Sequence, residues 1–409
     1  GGYISFAQYL ANGDLQKYIN SRVELSNLYN TVQPVYTPIG LPLLLLLSKF
    51  LHNWNLLVIK LMIPISLIIT YWVVNRMFKE KLSKFLLFAT FINPWLIDQF
   101  RDIMSEIPAL LFLLLGISQK RFKNLYFIIS ILIRPSYIVL VVVYMIFAYK
   151  KSKGIKSIFT LILNLLLIQI FSNYFFGINF YGNYATSSIE NSSNFKLLFQ
   201  NLKTFHFQDS EFILYEVGRL FTAVGNPLNL YIGILTVLIL LWIRNPYGYM
   251  SIAFIFFHLS YPNYYYVRFF LPLVILASIG IVLKLETLNL NSLRKKYLML
   301  LIAVLMTAYT YKIDYQINRL EIQRGPYQIE SQEMLSYVKN EFNNKIFIFH
   351  APRTFTLLTG FDSYRLNEEL IDGAIIICEY NIKECSVPNE YWLKYKNKEY
   401  TIYQPKLDY

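Results

Sequence analysis

The stretch Asp98-Gln99-Phe100-Arg101-Asp102-Ile103-Met104-Ser105-Glu106 sets three carboxylates directly before the apolar run IPALLFLLLG. If a helix starts near Ser105, Asp102 and Glu106 lie four apart and stack on one face. Carboxylates at an apolar boundary are costly to desolvate and can serve as a general base, a metal ligand or a bridge to a phosphate-binding cation. The plainer reading is a solvated helix start, with Ser105 as N-cap and an acid in the first turn. Both readings stay open on position alone.

Two arginines share that setting, Arg134 in ILIRPSYIVL and Arg268 in YYYVRFFLPL. A guanidinium keeps its charge at any working pH and grips phosphate bidentately, which suits a phosphate-bearing lipid or sugar donor. For either one alone, snorkelling to headgroups or pairing with an acid explains it as well. Tyr265 and Tyr266 precede Arg268, and the amino-terminal stretch carries Tyr3, Tyr9, Asp14, Tyr18, Tyr29 and Tyr36. Such rings stack on sugar faces and also populate membrane interfaces. His52, His206, His258 and His350 show no ligand spacing, and two cysteines make no Cys-rich metal site. Cys378 and Cys385 are equally readable as a disulfide or as two free thiols.

The elements that must position these groups are apolar helices. Of 409 residues, 55% are hydrophobic and 15% charged, and the mean hydropathy is +0.39, too little charge for a wholly water-facing surface. The net charge of +13 divides sharply: residues 1–313 carry +16 and residues 314–409 carry −3. The excess therefore accompanies the apolar part, which argues against a nucleic-acid partner. Helices are expected near 55–75, 83–97, 104–118, 124–133, 136–149, 157–176, 228–243, 248–260, 267–284 and 297–312.

Orientation follows from the short loops. Arg76, Lys79, Lys81 and Lys84 form one basic cluster, Lys120, Arg121 and Lys123 a second, and Lys150, Lys151, Lys153 and Lys156 a third. Arg244 stands alone, and Lys284, Arg294, Lys295 and Lys296 form the last group. With alternating helices all five fall on one side, the cytoplasmic one. This parity requires a hairpin between Lys123 and Lys150, and Arg134-Pro135 is the residue pair that can break the run. Arg134 is then expected at the outer tip. Ile39–Leu51 is read as an in-plane or re-entrant helix, because counting it as a span would invert the first cluster. Residues 314–409 read as a small α/β domain, with a helix at Ser331–Phe342, strands at Ile346–His350 and Gly373–Glu379, and a hairpin over Tyr391–Tyr403.

Taken together, these segments resemble the GT-C superfamily of polytopic glycosyltransferases that use polyprenyl-phosphate sugars, such as protein mannosyltransferases and lipid A aminoarabinose transferases. The resemblance runs along GGYISFAQYLANGD with YTPIGLPLLLLLSKF, SEIPALLFLLLG, LIRPSYIVL, YYYVRFFLPL and FHAPRTFTLLTG. It implies a mainly α transmembrane bundle of about ten helices over residues 1–313, a small extracytoplasmic α/β domain over 314–409, and a location in the bacterial inner membrane. Glu106 and Asp102 then match the acid of the second external loop. Arg268 matches the arginine before the Leu-Pro helix, and Arg353 the arginine of the external domain. The first-loop aspartate of the family would lie upstream of Gly1, the chain reading as truncated there. Asp14 is the nearest acid present.

What the resemblance implies is transfer of one sugar from a polyprenyl-phosphate donor to a lipid, glycan or protein acceptor, with inversion and a carboxylate base. Arg134, Arg268, Arg353, Tyr265, Tyr266 and Asp14 are the expected substrate-binding residues. No cofactor is required, and a divalent metal such as Mg or Mn stays open, with no residues assigned to it. Rival readings are a transporter or flippase for lipid-linked saccharides, a polymerase or ligase of such saccharides, and a non-catalytic membrane scaffold. A transporter predicts charge inside helices, and beyond Lys60 and the Arg134-Pro135 break the sequence places charge at helix ends.

Overall fold

Proline, asparagine and charge set the helix ends in the computed structural model. It describes residues 2–14, 38–52, 56–93, 105–119, 121–148, 151–176, 210–220, 228–259 and 270–287, and in the carboxy-terminal region 329–342, 345–349, 363–364, 373–380 and 387–406, with a few isolated positions. The chain is mainly helical with a small carboxy-terminal sheet, thirteen helices and five strands among the described residues. It divides into two units, Phe6–Asn318 and Arg319–Tyr409, the latter grouped with Gly1–Ser5.

In the larger unit the helices are α1 (Gly2–Asn12, beginning in the other unit's segment), α2 (Gly40–His52), α3 (Leu56–Asn75), α4 (Lys81–Phe91), α5 (Glu106–Ser118) and α6 (Lys123–Ile133). They continue with α7 (Tyr137–Ala148), α8 (Lys151–Phe176), α9 (Ser210–Arg219), α10 (Asn229–Ile243), α11 (Pro246–Leu259) and α12 (Leu271–Thr287). The break at Arg134-Pro135 occurs as expected. Arg134 leaves the helical region at φ −142°, ψ 99°, as the residue before a proline must, and Tyr137 starts the next helix. The stretch read as in-plane, Ile39–Leu51, is helix α2. Gly40 lets its start touch the backbone of Leu132 and Ile133 at the end of α6. Two helices appear where loops were expected, α1 and α9. The helix expected over 297–312 lies, apart from Tyr297, outside the described residues.

Antiparallel packing sorts the helix ends. Ser130 donates to the Ala109 carbonyl at 2.7 Å, tying α6 to α5. Phe147 stacks on Tyr249 at 4.1 Å and Tyr137 meets Phe254 edge-on at 5.9 Å, pairing α7 with α11. At one end of the bundle Ser83 donates to the Glu286 carboxylate at 2.6 Å, joining the start of α4 to the end of α12. At that end Asn245 also caps α11, accepting from the Tyr247 and Gly248 amides, and donates to the Gly280 carbonyl. Lys81, Lys84, Lys123, Arg244 and Lys284 gather there. The opposite end holds Glu106, Arg134 and His258.

Two helices are long and apolar enough to cross a membrane, at Val58–Asn75 in α3 and Gly154–Tyr174 in α8. Helices α5, α6, α7 and α10 have 13, 11, 12 and 15 residues. At 1.5 Å per residue that is about 17–23 Å, short of the ~30 Å hydrocarbon core. The ten expected spans therefore reduce, among the described residues, to two of full length.

The smaller unit packs α13 (Ile329–Glu341) on a sheet of β1 (Phe347–Ile348), β2 (Ser363–Tyr364), β3 (Ile375–Glu379), β4 (Tyr391–Lys396) and β5 (Tyr400–Pro405), in the order β2-β1-β3-β5-β4. Strand β1 runs parallel to β2 and β3, while β5 runs antiparallel to β3 and β4. Alternation along β3 sends Ile375 and Ile377 to the face covered by Met334 and Val338 of α13 and by Phe342 just past its end, and Ile376 and Cys378 to the other. Asn397 closes the β4–β5 turn by accepting from the amides of Glu399 and Tyr400. Cys378 and Cys385 are joined as a disulfide.

Candidate functional site

A helix start, a helix stop and a second helix start converge at the end of the bundle opposite the lysine clusters. Glu106 opens α5 with 2% of its surface exposed. One oxygen, Oε1, accepts from Arg134 Nη1 at 2.9 Å, the arginine side chain being 14% exposed. Arg134 stands at the break expected to form the hairpin tip, where the chain turns at Pro135 and the side chain folds inward over the start of α5. The same Nη1 donates to Ser105 Oγ at 3.1 Å. Ser105 has the N-cap position but makes no side-chain cap, its hydroxyl being taken by the arginine. The plain helix-start reading thus holds for the Ser105 N-cap position and the acid in the first turn, but the hydroxyl pairs with the arginine and the acid is buried rather than solvated.

Tyr137, fully buried, donates its hydroxyl to the backbone carbonyl of Glu106 at 3.0 Å and so fixes the carboxylate's own backbone. Its ring leans on Phe254, which meets the His258 ring at 4.4 Å, and Phe270 closes on the histidine at 4.9 Å. His258 Nδ1 bonds the Phe254 carbonyl at 2.8 Å, and because a carbonyl only accepts, Nδ1 carries the proton. The second carboxylate oxygen of Glu106, Oε2, is buried without a hydrogen-bond partner, as is the Ser136 hydroxyl beside the break. An unpaired buried oxygen of this kind costs about 1–3 kcal/mol, more for a charged group, so it calls for an occupant or a function. It can accept a hydroxyl proton.

Of the residues read from the sequence, Glu106 and Arg134 are brought together, 28 positions apart in the chain. Asp14 lies exposed just past the end of α1, its amide donating to the Tyr9 carbonyl at 3.0 Å, and no contact joins it to Glu106 or Arg134. Asp102, Arg268, Arg353, Tyr265 and Tyr266 lie outside the described residues. Sequence reasoning missed Tyr137 and His258. Tyr137 follows the break by two residues, the spacing at which a new helix returns its first side chain to the preceding strut. His258 gave no signal, since only the packing of α11 on α7 brings it to the site. Among the described residues no three of His, Cys, Asp and Glu converge as a metal cluster would need.

A second buried pair stands on α9, where Arg219 Nη1 meets Glu216 Oε1 at 3.1 Å, one helical turn apart. The Asn93 amide donates to the Leu220 carbonyl at 3.3 Å, which sets the end of α9 by the end of α4. Both acid–base pairs thus belong to the end remote from the lysine clusters.

The arrangement is that of an ionisable site at one end of an apolar helical bundle, with one carboxylate oxygen engaged and one open. No protein-family model, curated protein or solved structure matches the chain.

Proposed function

We propose that the chain is a polytopic membrane glycosyltransferase that moves a sugar from a polyprenyl-phosphate donor to a lipid, glycan or protein acceptor at the external face. One observation carries the reading: Glu106, buried and half-engaged by Arg134 at the end of the bundle opposite the lysine clusters. Embedding in a bilayer is supported by the apolar surface. Ile68, Trp72, Ile155, Phe159, Ile170 and Tyr231 are each between 49% and 68% exposed, and only 17% of Gly154–Tyr174 is buried. A water-facing helix does not carry such a surface, and a core helix would be covered. The tail disulfide suits an oxidising, extracytoplasmic compartment.

In this reading the donor phosphate displaces the carboxylate from Arg134, the guanidinium being shaped for a phosphate fork. Glu106, released, accepts the acceptor's hydroxyl proton. The acceptor oxygen forms its bond to the anomeric carbon from the face opposite the phosphate oxygen, whose bond to that carbon breaks. Polyprenyl phosphate leaves as an anion, stabilised by arginine. General-base catalysis of this kind supplies about 10²–10⁴-fold, and stabilisation of the leaving charge adds to it. On the resemblance of their segments, Asp102, Arg268 and Arg353 are the further residues proposed to act on substrate.

The test is transfer from a lipid-linked sugar by the full chain in proteoliposomes. Glu106→Gln and Arg268→Ala are each expected to lower turnover by two orders of magnitude or more. Activity that survives both changes overturns the reading, and saccharide translocation without transfer would move the protein to the transporter class.

A further inference from the structure

At the lysine-rich end, Arg244 and Lys284 line one open cavity of about 380 Å³ together with Leu241 and Trp242. Arg244 ends α10 in the left-handed conformation, φ 48°, which among the described residues no other non-glycine adopts. The residue after it, Asn245, is pinned on both sides, to the start of α11 and to Gly280 of α12. That double anchor holds the unfavourable turn and fixes where the Arg244 backbone stands. Lys284 lies over the Trp242 ring at 5.3 Å. Among the described residues neither cation has an ion pair and no acid lines the cavity. Two like charges converging beside an indole raise the energy of the empty site and lower that of an anion within it.

The neighbouring surface tells which anion. Along α10, Tyr231, Leu235, Leu238 and Trp242 recur at four- and three-residue steps and are 68%, 54%, 56% and 49% exposed. They form one apolar stripe running from the cavity along the helix. A phosphate alone has no use for that stripe; a phosphate with an acyl chain covers both parts. A zwitterionic headgroup would bring a third cation between Arg244 and Lys284.

We propose that this cavity binds an anionic phospholipid, its phosphate between Arg244 and Lys284 and a chain along the α10 stripe. The site is separate from the carboxylate site at the other end. It rests on the membrane reading given above and assigns a lipid to the cytoplasmic leaflet.

The experiment uses the purified full chain in detergent, titrated with phosphatidylglycerol, phosphatidylcholine or glycerol 3-phosphate, with thermal stability and native mass spectrometry as readouts. Phosphatidylglycerol is expected to bind and stabilise, the other two not. Each cation near a lipid surface contributes roughly a fivefold factor, so Arg244→Gln with Lys284→Gln should weaken phosphatidylglycerol at least about tenfold. The charge-preserving pair Arg244→Lys with Lys284→Arg should restore most of it and shows that the fold tolerates change there. Lys79→Gln with Lys81→Gln, at the same end but outside the cavity, should change nothing. Equal binding of both phospholipids, a full response to glycerol 3-phosphate, or an equal loss in the Lys79 and Lys81 variant overturns the lipid site. A chain that stays soluble without detergent removes instead the membrane reading beneath it.

Discussion

Removing Arg134 is the most informative perturbation of the Glu106–Arg134 pair. At 2.9 Å and an effective dielectric constant near 20, the gross attraction between the two charges is about 6 kcal/mol. Desolvation offsets much of this, but the balance is not symmetric. In Arg134→Met the glutamate loses its cation at 2% exposure, and loss of one partner of a buried pair costs about 3–5 kcal/mol. In Glu106→Gln the amide oxygen can still accept from Nη1 and the arginine, 14% exposed, still reaches water, so the cost should be nearer 1 kcal/mol. The double variant should lie well above the sum of its parts, being more stable than Arg134→Met alone. Denaturant titration of the four proteins in one detergent measures the cycle. Additivity within about 0.5 kcal/mol would refute the coupling, and with it the claim that this contact organises the site.

Three further outcomes follow from particular contacts. A methyl group at Gly218 would overlap the Asn229 carbonyl, and one at Gly233 the Leu214 carbonyl. Each change to Ala should cost about 1–3 kcal/mol in the same titration, outweighing the ~1 kcal/mol that alanine adds to helix propensity. Cys378→Ser with Cys385→Ser opens a loop of sequence separation 7, worth about 2–3 kcal/mol of chain entropy. Limited proteolysis should cut the 378–390 region of the variant, and of the reduced protein, well before the oxidised one. In the same cysteine-free background, Asn389→Cys should react with a membrane-impermeant maleimide on intact cells, and Gln119→Cys only after permeabilisation, both positions being exposed. The reverse order overturns the orientation read from the lysine clusters.

The break between α6 and α7 was legible twice over, in Pro135 and in the parity of basic loops that forbade one straight span. The strand Gly373–Glu379 and the hairpin over Tyr391–Tyr403 were equally plain, because a buried strand and a hairpin are local properties. Helix α9 was hidden inside a long polar segment. Its signal was there in Ile213, Val217 and Leu220, buried at helical spacing, but a window of ten residues competes poorly with the loop around it. Helix α1 was lost to its tyrosines, which read as interface groups rather than as part of a helix with Ile4, Phe6 and Ala7 buried. The site was half legible. Position marked Glu106 and Arg134 separately, yet their contact depends on how far the chain turns at Pro135, and His258 depends on α11 packing against α7. Neither is encoded within a window of the chain.

A buried ion pair is weak grounds for stability, since apolar packing of equal volume does as well or better. What distinguishes Glu106 and Arg134 from a strut is how incompletely they use one another. The contact engages one carboxylate oxygen and one guanidinium nitrogen, which also holds Ser105, where a structural pair would close as a two-point fork. Tyr137 meanwhile grips the glutamate by its backbone carbonyl and leaves the carboxylate free to exchange partners. The backbone is thus fixed while one carboxylate oxygen is left unengaged. Under the proposed transfer reaction, in which the arginine passes to a phosphate and the glutamate takes a proton, that division between a fixed backbone and an exchangeable contact is what the step requires.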